Sequence, residues 1–395
     1  MKQKLKGYKG ITLIALIITI IVLLILAVVA ISAIKGDGII AHAKNARDMY
    51  EQKSEEESAL LQKYLEQLNN EINGSEGSKK IEKGDLNKII STTDNTPLID
   101  KFGNKIKVPA GFKILVDSTT GYTADDINVT KGIVVEDGEG NQFVWIPVGT
   151  IYTDIEKTEA NAKTITLGRY SNFTKINNAY TVAQKASDYG TQVKISRSYT
   201  EDTTATHNPD YKNSIAKNIG EFCTKALASG GYYIGRYEAR AATERKSKTD
   251  TLTPVTLKAN DYVYNYVTQA QASERCQSMY TNKPYESDLI NSYAWDTAII
   301  FFQEFGDNST YASKKSVNHS LANTGTSGTS YTGTEKDVIC NVYDMASNCF
   351  ELSTETSSSS SNPCTNRGIS STTTRVGYNT DIANDNGSFR PLLYM

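Results

Sequence analysis

The sequence predicts an α+β protein: a long N-terminal membrane and stalk helix followed by a β-rich remainder. Three observations support this fold class. No charged residue occurs between positions 10 and 34, apolar residues then recur at helical spacing as far as Ile72, and short alternating segments separated by turns begin near residue 96. An uncharged apolar run of about 20 residues is typical of a membrane helix. Alternation between Gly- and Pro-rich turns is typical of strands.

Composition limits the classes of function. The 395 residues include 42 basic and 44 acidic side chains, so the chain lacks the basic face of a nucleic-acid binder, and no nucleic-acid partner is predicted. A chain of this length favours two or three folded units. Its five cysteines are too few for a disulfide-built scaffold, and a disulfide among the last three or a set of buried thiols both remain open. They are Cys223, Cys276, Cys340, Cys349 and Cys364.

The apolar run at 11–35 is long enough, as a helix, to cross a bilayer core of roughly 30 Å. Four lysines precede it within the first nine residues, and the positive-inside rule then places the N-terminus in the cytoplasm. The sequence therefore predicts a single-pass protein of the cell membrane with residues 36–395 outside.

The start of this run is more specific than an anchor. Lys9-Gly10-Ile11-Thr12-Leu13-Ile14 resembles the prepilin signal of type IV pilins and pseudopilins. The resemblance implies a leader at 1–10, cleavage between Gly10 and Ile11 by a prepilin peptidase, and association with a pilus. Pilins usually carry Glu five residues beyond the Gly, where this chain has Ala15, so filament assembly stays open. An uncleaved signal anchor is the alternative.

Further along, composition and periodicity divide the chain. Residues 36–73 form a predicted stalk helix, with a helix lying on its own ectodomain as the alternative, and 74–95 have linker composition. Residues 96–140 read as a small β unit and 141–395 as a larger domain. That domain contains a polar insertion at 150–212 with no assigned structure.

Six matches after residue 140 stand in the order of one family's motifs. They lie at 143–147, 231–238, 267–272, 288–296, 342–351, and 367–368 with 387–391. The segment at 342–351, Val-Tyr-Asp-Met-Ala-Ser-Asn-Cys-Phe-Glu, carries the most specific motif. Together they resemble the formylglycine-generating enzyme family (sulfatase-modifying factor type), which implies a C-type lectin-like domain. The motif residues are expected to be structural: Trp145, Trp295, Tyr343, Asp344, Met345, Asn348, Glu351, Arg367, Gly368, Phe389 and Arg390.

The chemistry of that family does not carry over with the motifs. The resemblance implies a copper-binding cysteine pair just after Arg367-Gly368, and here Ile369 to Arg375 contain no thiol. His42, His207 and His319 are too few and too scattered for an iron site. No metal or cofactor is therefore predicted, and the protein is predicted not to be an enzyme. Arg390 is expected to form a buried ion pair with Asp344 or Glu351.

The resemblance places the stretch from Ser370 to Asn386 at the ligand-facing surface. Its Ser, Thr, Asn, Asp and Tyr side chains can hydrogen-bond many partners. The residues predicted to bind are Ser370, Ser371, Thr372, Thr374, Tyr378, Asn379, Thr380, Asp381, Asn384 and Asp385. The ligand is an extracellular protein or glycan, and an ordinary solvated loop is the alternative.

The predicted function is that of a surface recognition protein or adhesin. Some lectin-fold proteins are targets of diversity-generating retroelements, which scatter adenine-rich codons into the residue types found at 370–386. Two other functions remain open: a pseudopilin-like structural subunit of a type IV pilus or secretion system, and a surface enzyme of the formylglycine-generating family.

Overall fold

A computed structural model of the chain describes residues 13–35, 78–189, 200–201, 217–314, 331–333, 337–356, 364–368, 371–373, 375–378 and 387–395. The chain divides into two compact units, Met1–Gly74 and Ser75–Met395. The predicted leader with Gly10 and Ile11, and the predicted stalk 36–73, lie outside the described residues.

The first unit is described through helix α1 (Leu13–Lys35). Its side chains are described from Ile17 to Val29, a stretch of about 20 Å at about 1.5 Å per residue, against roughly 30 Å for a bilayer core. Over the residues described, no helix is long and apolar enough to cross a membrane. The predicted long N-terminal membrane helix and the single-pass membrane localisation are therefore wrong. The sequence argument had counted the whole uncharged run.

The second unit is a mixed α/β fold. Its described helices are α2 (Ile219–Ser229), α3 (Gln269–Gln277) and α4 (Ser292–Phe305). Its described strands are β1 (Lys79–Lys80), β2 (Thr96–Ile99), β3 (Lys105–Val108), β4 (Lys113–Ile114), β5 (Val134–Glu136), β6 (Gln142–Pro147), β7 (Gly149–Tyr152), β8 (Ala162–Ile165), β9 (Gly168–Ile176), β10 (Ala179–Lys185), β11 (Thr200–Glu201), β12 (Gly231–Gly235), β13 (Glu286–Leu289), β14 (Val338–Ile339), β15 (Val342–Tyr343), β16 (Phe350–Thr356), β17 (Cys364–Arg367), β18 (Arg375–Tyr378), β19 (Gly387–Phe389) and β20 (Pro391–Tyr394).

A six-stranded sheet forms the centre of this unit, in the order β13-β20-β12-β6-β5-β4. Strand β12 is buried along its whole length and pairs antiparallel with β6, with Tyr233 opposite Trp145. Runs of apolar and aromatic residues form such strands because both faces are covered. Strand β5 pairs with β6 in the same sheet, so the boundary predicted at residue 140 falls between two hydrogen-bonded strands.

A second sheet runs β11-β16-β17-β18, and β19 joins it by pairing parallel to β16. Helix α4 packs against β9 and also contacts β6 and β16. Twelve of its 14 residues are buried, as expected of a helix inside a core. Its N-terminus is capped by Asn291, whose Oδ1 accepts from the Ala294 N–H at 2.9 Å.

The segment predicted as an unassigned polar insertion contains regular structure. Strands β7 and β8 form one antiparallel pair, and β9 and β10 form another with several register shifts. Strand β9 begins with three buried residues, Gly168, Arg169 and Tyr170, which face α4 through Asp296 and Thr297. The insertion therefore contributes to the core at the start of β9.

The sequence left open either a disulfide among the last three cysteines or a set of buried thiols. Within the residues that the structure describes, the five thiols form no disulfide with one another. Cys340 is partly exposed and the other four are buried.

Candidate functional site

The base of the predicted binding segment is a closed set of buried charges that we call the arginine ring: Asp296, Glu355, Arg367 and Arg375. Asp296 lies in the second turn of α4, and the other three lie on β16, β17 and β18. Arg367 pairs with both carboxylates. Arg375 does the same, from Nε to Glu355 at 2.7 Å and from a terminal nitrogen to Asp296 at 2.5 Å. Every side chain in the ring is at most 2% exposed.

Electrostatics in the ring favour the ionised form of Glu355. Burial alone would raise the pKa of Glu355, but Arg375, Arg367 and Arg169 lower it to about 2. Arg169 on β9 comes within 3.9 Å of the same carboxylate. Three cations against two anions leave neither carboxylate short of a partner, which is the condition under which buried charges are tolerated. The ring joins α4, β9 and three strands of the second sheet.

A second group of buried charges surrounds the segment that carries the most specific motif. We call Glu238, Asp337, Asp344 and Glu351 the carboxylate cluster; each is at most 3% exposed. Arg390 donates from Nε to both Glu351 oxygens at 3.1 Å and from a terminal nitrogen at 2.5 Å. Of the two alternatives predicted for Arg390, the ion-pair partner is thus Glu351. Lys314 pairs with Asp337.

Here the carboxylates outnumber their cations, and two pKa values rise. Burial, with the nearby Asp344 and Glu351 charges, raises the pKa of Glu238 well above its usual value. Burial also raises the pKa of Asp344 to about 7, although it accepts hydrogen bonds from Ser347 Oγ (2.9 Å) and the Gly333 N–H (3.0 Å). The raised pKa favours the protonated form of each group because the charged form lacks compensation.

The remaining predicted motif residues are placed as follows. Tyr343 is half-buried and its carbonyl accepts from Arg390 at 2.9 Å. Asn348 has a left-handed backbone with φ of 59° and donates to Glu238 at 2.5 Å. The others are buried: Trp145, Trp295, Met345, Gly368 and Phe389. Glu238 and Asp337 were not predicted, although Glu238 ends the matched segment 231–238.

The predicted binding residues divide into described and undescribed positions. Ser371 is half-buried, Thr372 is buried, and Tyr378 is described through its backbone. The Thr372 hydroxyl lies 2.8 Å from the Tyr311 carbonyl oxygen and 3.0 Å from that of Ala312, and its own carbonyl accepts from Trp295 Nε1 at 2.8 Å. The rest lie outside the described residues: Ser370, Thr374, Asn379, Thr380, Asp381, Asn384 and Asp385.

The helical turn Tyr311–Ser313, whose carbonyl oxygens accept from the Thr372 hydroxyl, also borders a cavity of about 460 Å³. We call it the hairpin cavity because residues 337–341, which include β14 and the following turn, form one wall. The other walls are 119–121 with 130–131, and 305–314 around the end of α4. Its volume falls within the range of about 300–1,000 Å³ that is usual for small-ligand sites.

The hairpin wall is fixed by a close backbone contact. Cys340 and Asn341 link β14 to β15 with positive φ angles of 45° and 65°, as in a type I′ turn. Gly132 has φ of +75°, and a Cβ there would lie 1.9 Å from the Cys340 carbonyl oxygen. Only glycine therefore fits at this contact without a shift of the hairpin.

Comparisons with known proteins return no match: no family model, no curated protein and no solved structure resembles this chain closely enough to count. Among the side chains that the structure describes, no three His, Cys, Asp or Glu residues group in a way that could hold a metal ion.

Proposed function

We propose that this protein is a recognition protein that binds a polar ligand, a protein or a glycan, through the surface built on residues 370–386. The observation that supports this most is the anchoring of the segment. Thr372 and Arg375 lie inside it, and both are buried and bonded to the core. The described parts of the segment are therefore fixed to the core.

Rigid support matters because recognition loops lose affinity when binding must first order them. A loop whose ends are held pays less conformational entropy when it closes on a ligand. Residues that bind are found disproportionately on loops positioned by a firm scaffold. Two fixed points at Thr372 and Arg375, followed by the β19 pairing at 387–389, give the segment such a scaffold on both sides.

The proposal extends to diversification of the gene. A segment with fixed anchors can change its other side chains without unfolding the domain, and its polar residue types match those that adenine-directed mutation produces. A second near-copy of the final hundred or so bases, differing where the copy has adenine and lying beside a reverse transcriptase gene, would support this extension. A genome without that repeat would leave a fixed-ligand recognition protein.

Binding by the segment is tested with the full chain on an array of glycans and an array of purified extracellular proteins. The triple variant Asn379→Ala/Asp381→Ala/Asn384→Ala removes polar groups from the segment and spares Thr372 and Arg375. We expect it to lose the ligands that the parent protein binds while its melting temperature stays unchanged. Thr181→Ala, an exposed change on β10, is the matched control.

Two outcomes would contradict the proposal. Retention of every array signal by the triple variant would place the binding site elsewhere. Conversion of an arrayed peptide thiol to an aldehyde would instead favour the enzymatic alternative.

A further inference from the structure

The hairpin cavity is a second candidate site, and it does not depend on ligand binding by residues 370–386. Its walls are held together independently of any ligand. The Asn341 side-chain amide lies within hydrogen-bonding distance of the carbonyl oxygens of Thr120 (2.6 Å), Lys131 (3.1 Å) and Gly132 (3.0 Å). Arg236 donates to the carbonyl oxygens of Thr119 (2.6 Å) and Asn341 (3.3 Å) and so links the same two walls. A cavity held in this way is pre-organised for a ligand.

Charges of both signs line the cavity. Lys314 is paired with the buried Asp337, and Lys131 lies 3.2 Å from Asp126. Asp307 is exposed, and the described residues offer it no ion pair. Its charge reaches the hairpin, because it adds to the effect of burial in raising the pKa of the Cys340 thiol.

These groups leave both donors and acceptors for a ligand. An ammonium group has three N–H donors, and Lys314 and Lys131 each use one for the ion pairs named above. The Asn308 Oδ1 accepts from the backbone N–H and the hydroxyl of Thr310, so the amide N–H groups of Asn308 can donate to a ligand. The Asp307 carboxylate is an acceptor only.

A lining with charges of both signs disfavours a ligand with a single net charge. Whichever sign the ligand carries, part of the lining carries the same sign: Asp307 for an anion, and Lys131 and Lys314 for a cation. A hydroxyl both donates and accepts, and it can therefore bond to a carboxylate or to an ammonium group. The ring of Phe305 adds an apolar surface to the same wall.

We propose that the hairpin cavity binds a neutral, hydroxyl-rich small molecule, represented by a short saccharide. The ligand would accept hydrogen bonds from Lys131 and Lys314, donate to Asp307, and cover Phe305. No covalent step is involved.

The test uses the full chain and saturation-transfer NMR, with glucose, maltose, lactose and N,N′-diacetylchitobiose as probes. Glucosamine and glucuronate share the glucose ring but carry one positive or negative charge, so they measure the selection against ions. We expect at least one neutral sugar to bind with a Kd in the millimolar range or below, and the charged analogues to bind about 10-fold more weakly than their neutral counterpart.

Two variants of opposite charge locate the site. Asp307→Asn and Lys131→Met should each weaken the neutral sugar about 10-fold without a change in melting temperature, because Asp307 is exposed and Asp126 keeps Lys101 as a partner. Asp154→Asn, an exposed acidic residue outside the cavity, should bind like the parent protein. The proposal is overturned if no neutral sugar binds, if a charged analogue binds best, or if both cavity variants bind unchanged.

Discussion

The arginine ring and the carboxylate cluster are two solutions to the same problem of burying charge. In the ring, Arg367 and Arg375 face two carboxylates with Arg169 beside them, and the pKa of Glu355 falls to about 2. In the cluster, Arg390 and Lys314 face four carboxylates, and the pKa of Asp344 rises to about 7. The ratio of cations to anions therefore decides whether a buried carboxylate keeps its charge or its proton.

That difference separates two kinds of structural role. Fully ionised partners are strongly sensitive to the removal of either side, because one deletion leaves an uncompensated buried charge. A protonated carboxyl behaves as a neutral hydrogen-bonding group that can lose its proton as the pH rises, so between about pH 4 and 7 the stability of the cluster should depend on pH more than that of the ring. The predictions below break one side of the comparison at a time.

The largest effect is expected from Arg375→Met, which removes one bridge from the arginine ring and keeps most of the side-chain volume. Asp296 and Glu355 each lose a cation, and the free energy of unfolding should fall by about 3–5 kcal/mol. Chemical denaturation measures the change. Arg275→Met is the control, because that side chain pairs with the exposed Glu274 and should change stability by less than about 1 kcal/mol. Equal losses in the two variants would refute the role of the ring.

Arg390→Ala should cost somewhat less, near the lower end of about 3–5 kcal/mol at pH 8. Glu351 loses its ion-pair partner, and the carbonyl oxygens of Gly235 and Tyr343 lose donors. Glu351 can then take a proton, as other members of the cluster do, so the loss should shrink as the pH falls towards 5. Unfolding curves at the two pH values measure this. A loss that is independent of pH would show that Glu351 stays ionised without Arg390.

The pH dependence of the cluster itself gives a third prediction. The pKa of Asp344 is about 7 in the folded protein, above the value of about 3.9 for an unfolded chain. Below pH 4 both states hold the proton, and between pH 4 and 7 the unfolded state loses it first. Stability should therefore fall as the pH rises through this window, by at most about 1.4 kcal/mol per pH unit.

Asp344→Asn removes this titration and should make the fall in stability between pH 4 and 7 shallower. Asp288, whose pKa burial raises to about 6, and Glu238, whose pKa is also raised, are present in both proteins, so the difference between the two curves reports Asp344. A parent protein whose stability rises with pH across the window, once the variant curve is subtracted, would contradict the protonated state of Asp344.

Much of the local structure could be predicted from sequence. The β unit predicted at 96–140 contains β2 to β5, the matched segment 143–147 lies in β6, and the segment 231–238 contains β12. These patterns are local because the side chains of a strand alternate between its faces. The pairing of β5 with β6 crosses the predicted boundary at 140. It could not be predicted, because the sequence of a strand does not specify the strand with which it pairs.

The site was harder to predict because its partners are distant in sequence. Thr372 looks like any other residue of a polar loop, and its burial depends on two carbonyl groups 60 and 61 residues away. Arg169 lies in a polar stretch and is buried beside Glu355, which is far along the chain. The prediction of a membrane helix is wrong for another reason. It treats the whole uncharged run as one spanning helix, which the described part of α1 does not support.

The smallest expected effect compares Glu238→Gln with Glu355→Gln. Glu238 accepts from the Cys349 N–H at 3.0 Å and lies 2.5 Å from the Asn348 amide nitrogen, and burial raises its pKa, which favours the protonated form. Glutamine has the same shape and the same balance of one donor group and one acceptor, since Asn348 can turn its oxygen towards the new amide. The change should therefore cost less than about 1 kcal/mol at pH 7, within the range of a conservative substitution.

In Glu355→Gln the same replacement removes a charge that Arg367 and Arg375 both need, and the loss should reach about 3 kcal/mol or more. Thermal and chemical unfolding of the two variants at pH 7 decide the matter: a large loss for Glu238→Gln would mean that Glu238 is ionised and that the cluster is balanced by charge, as the ring is.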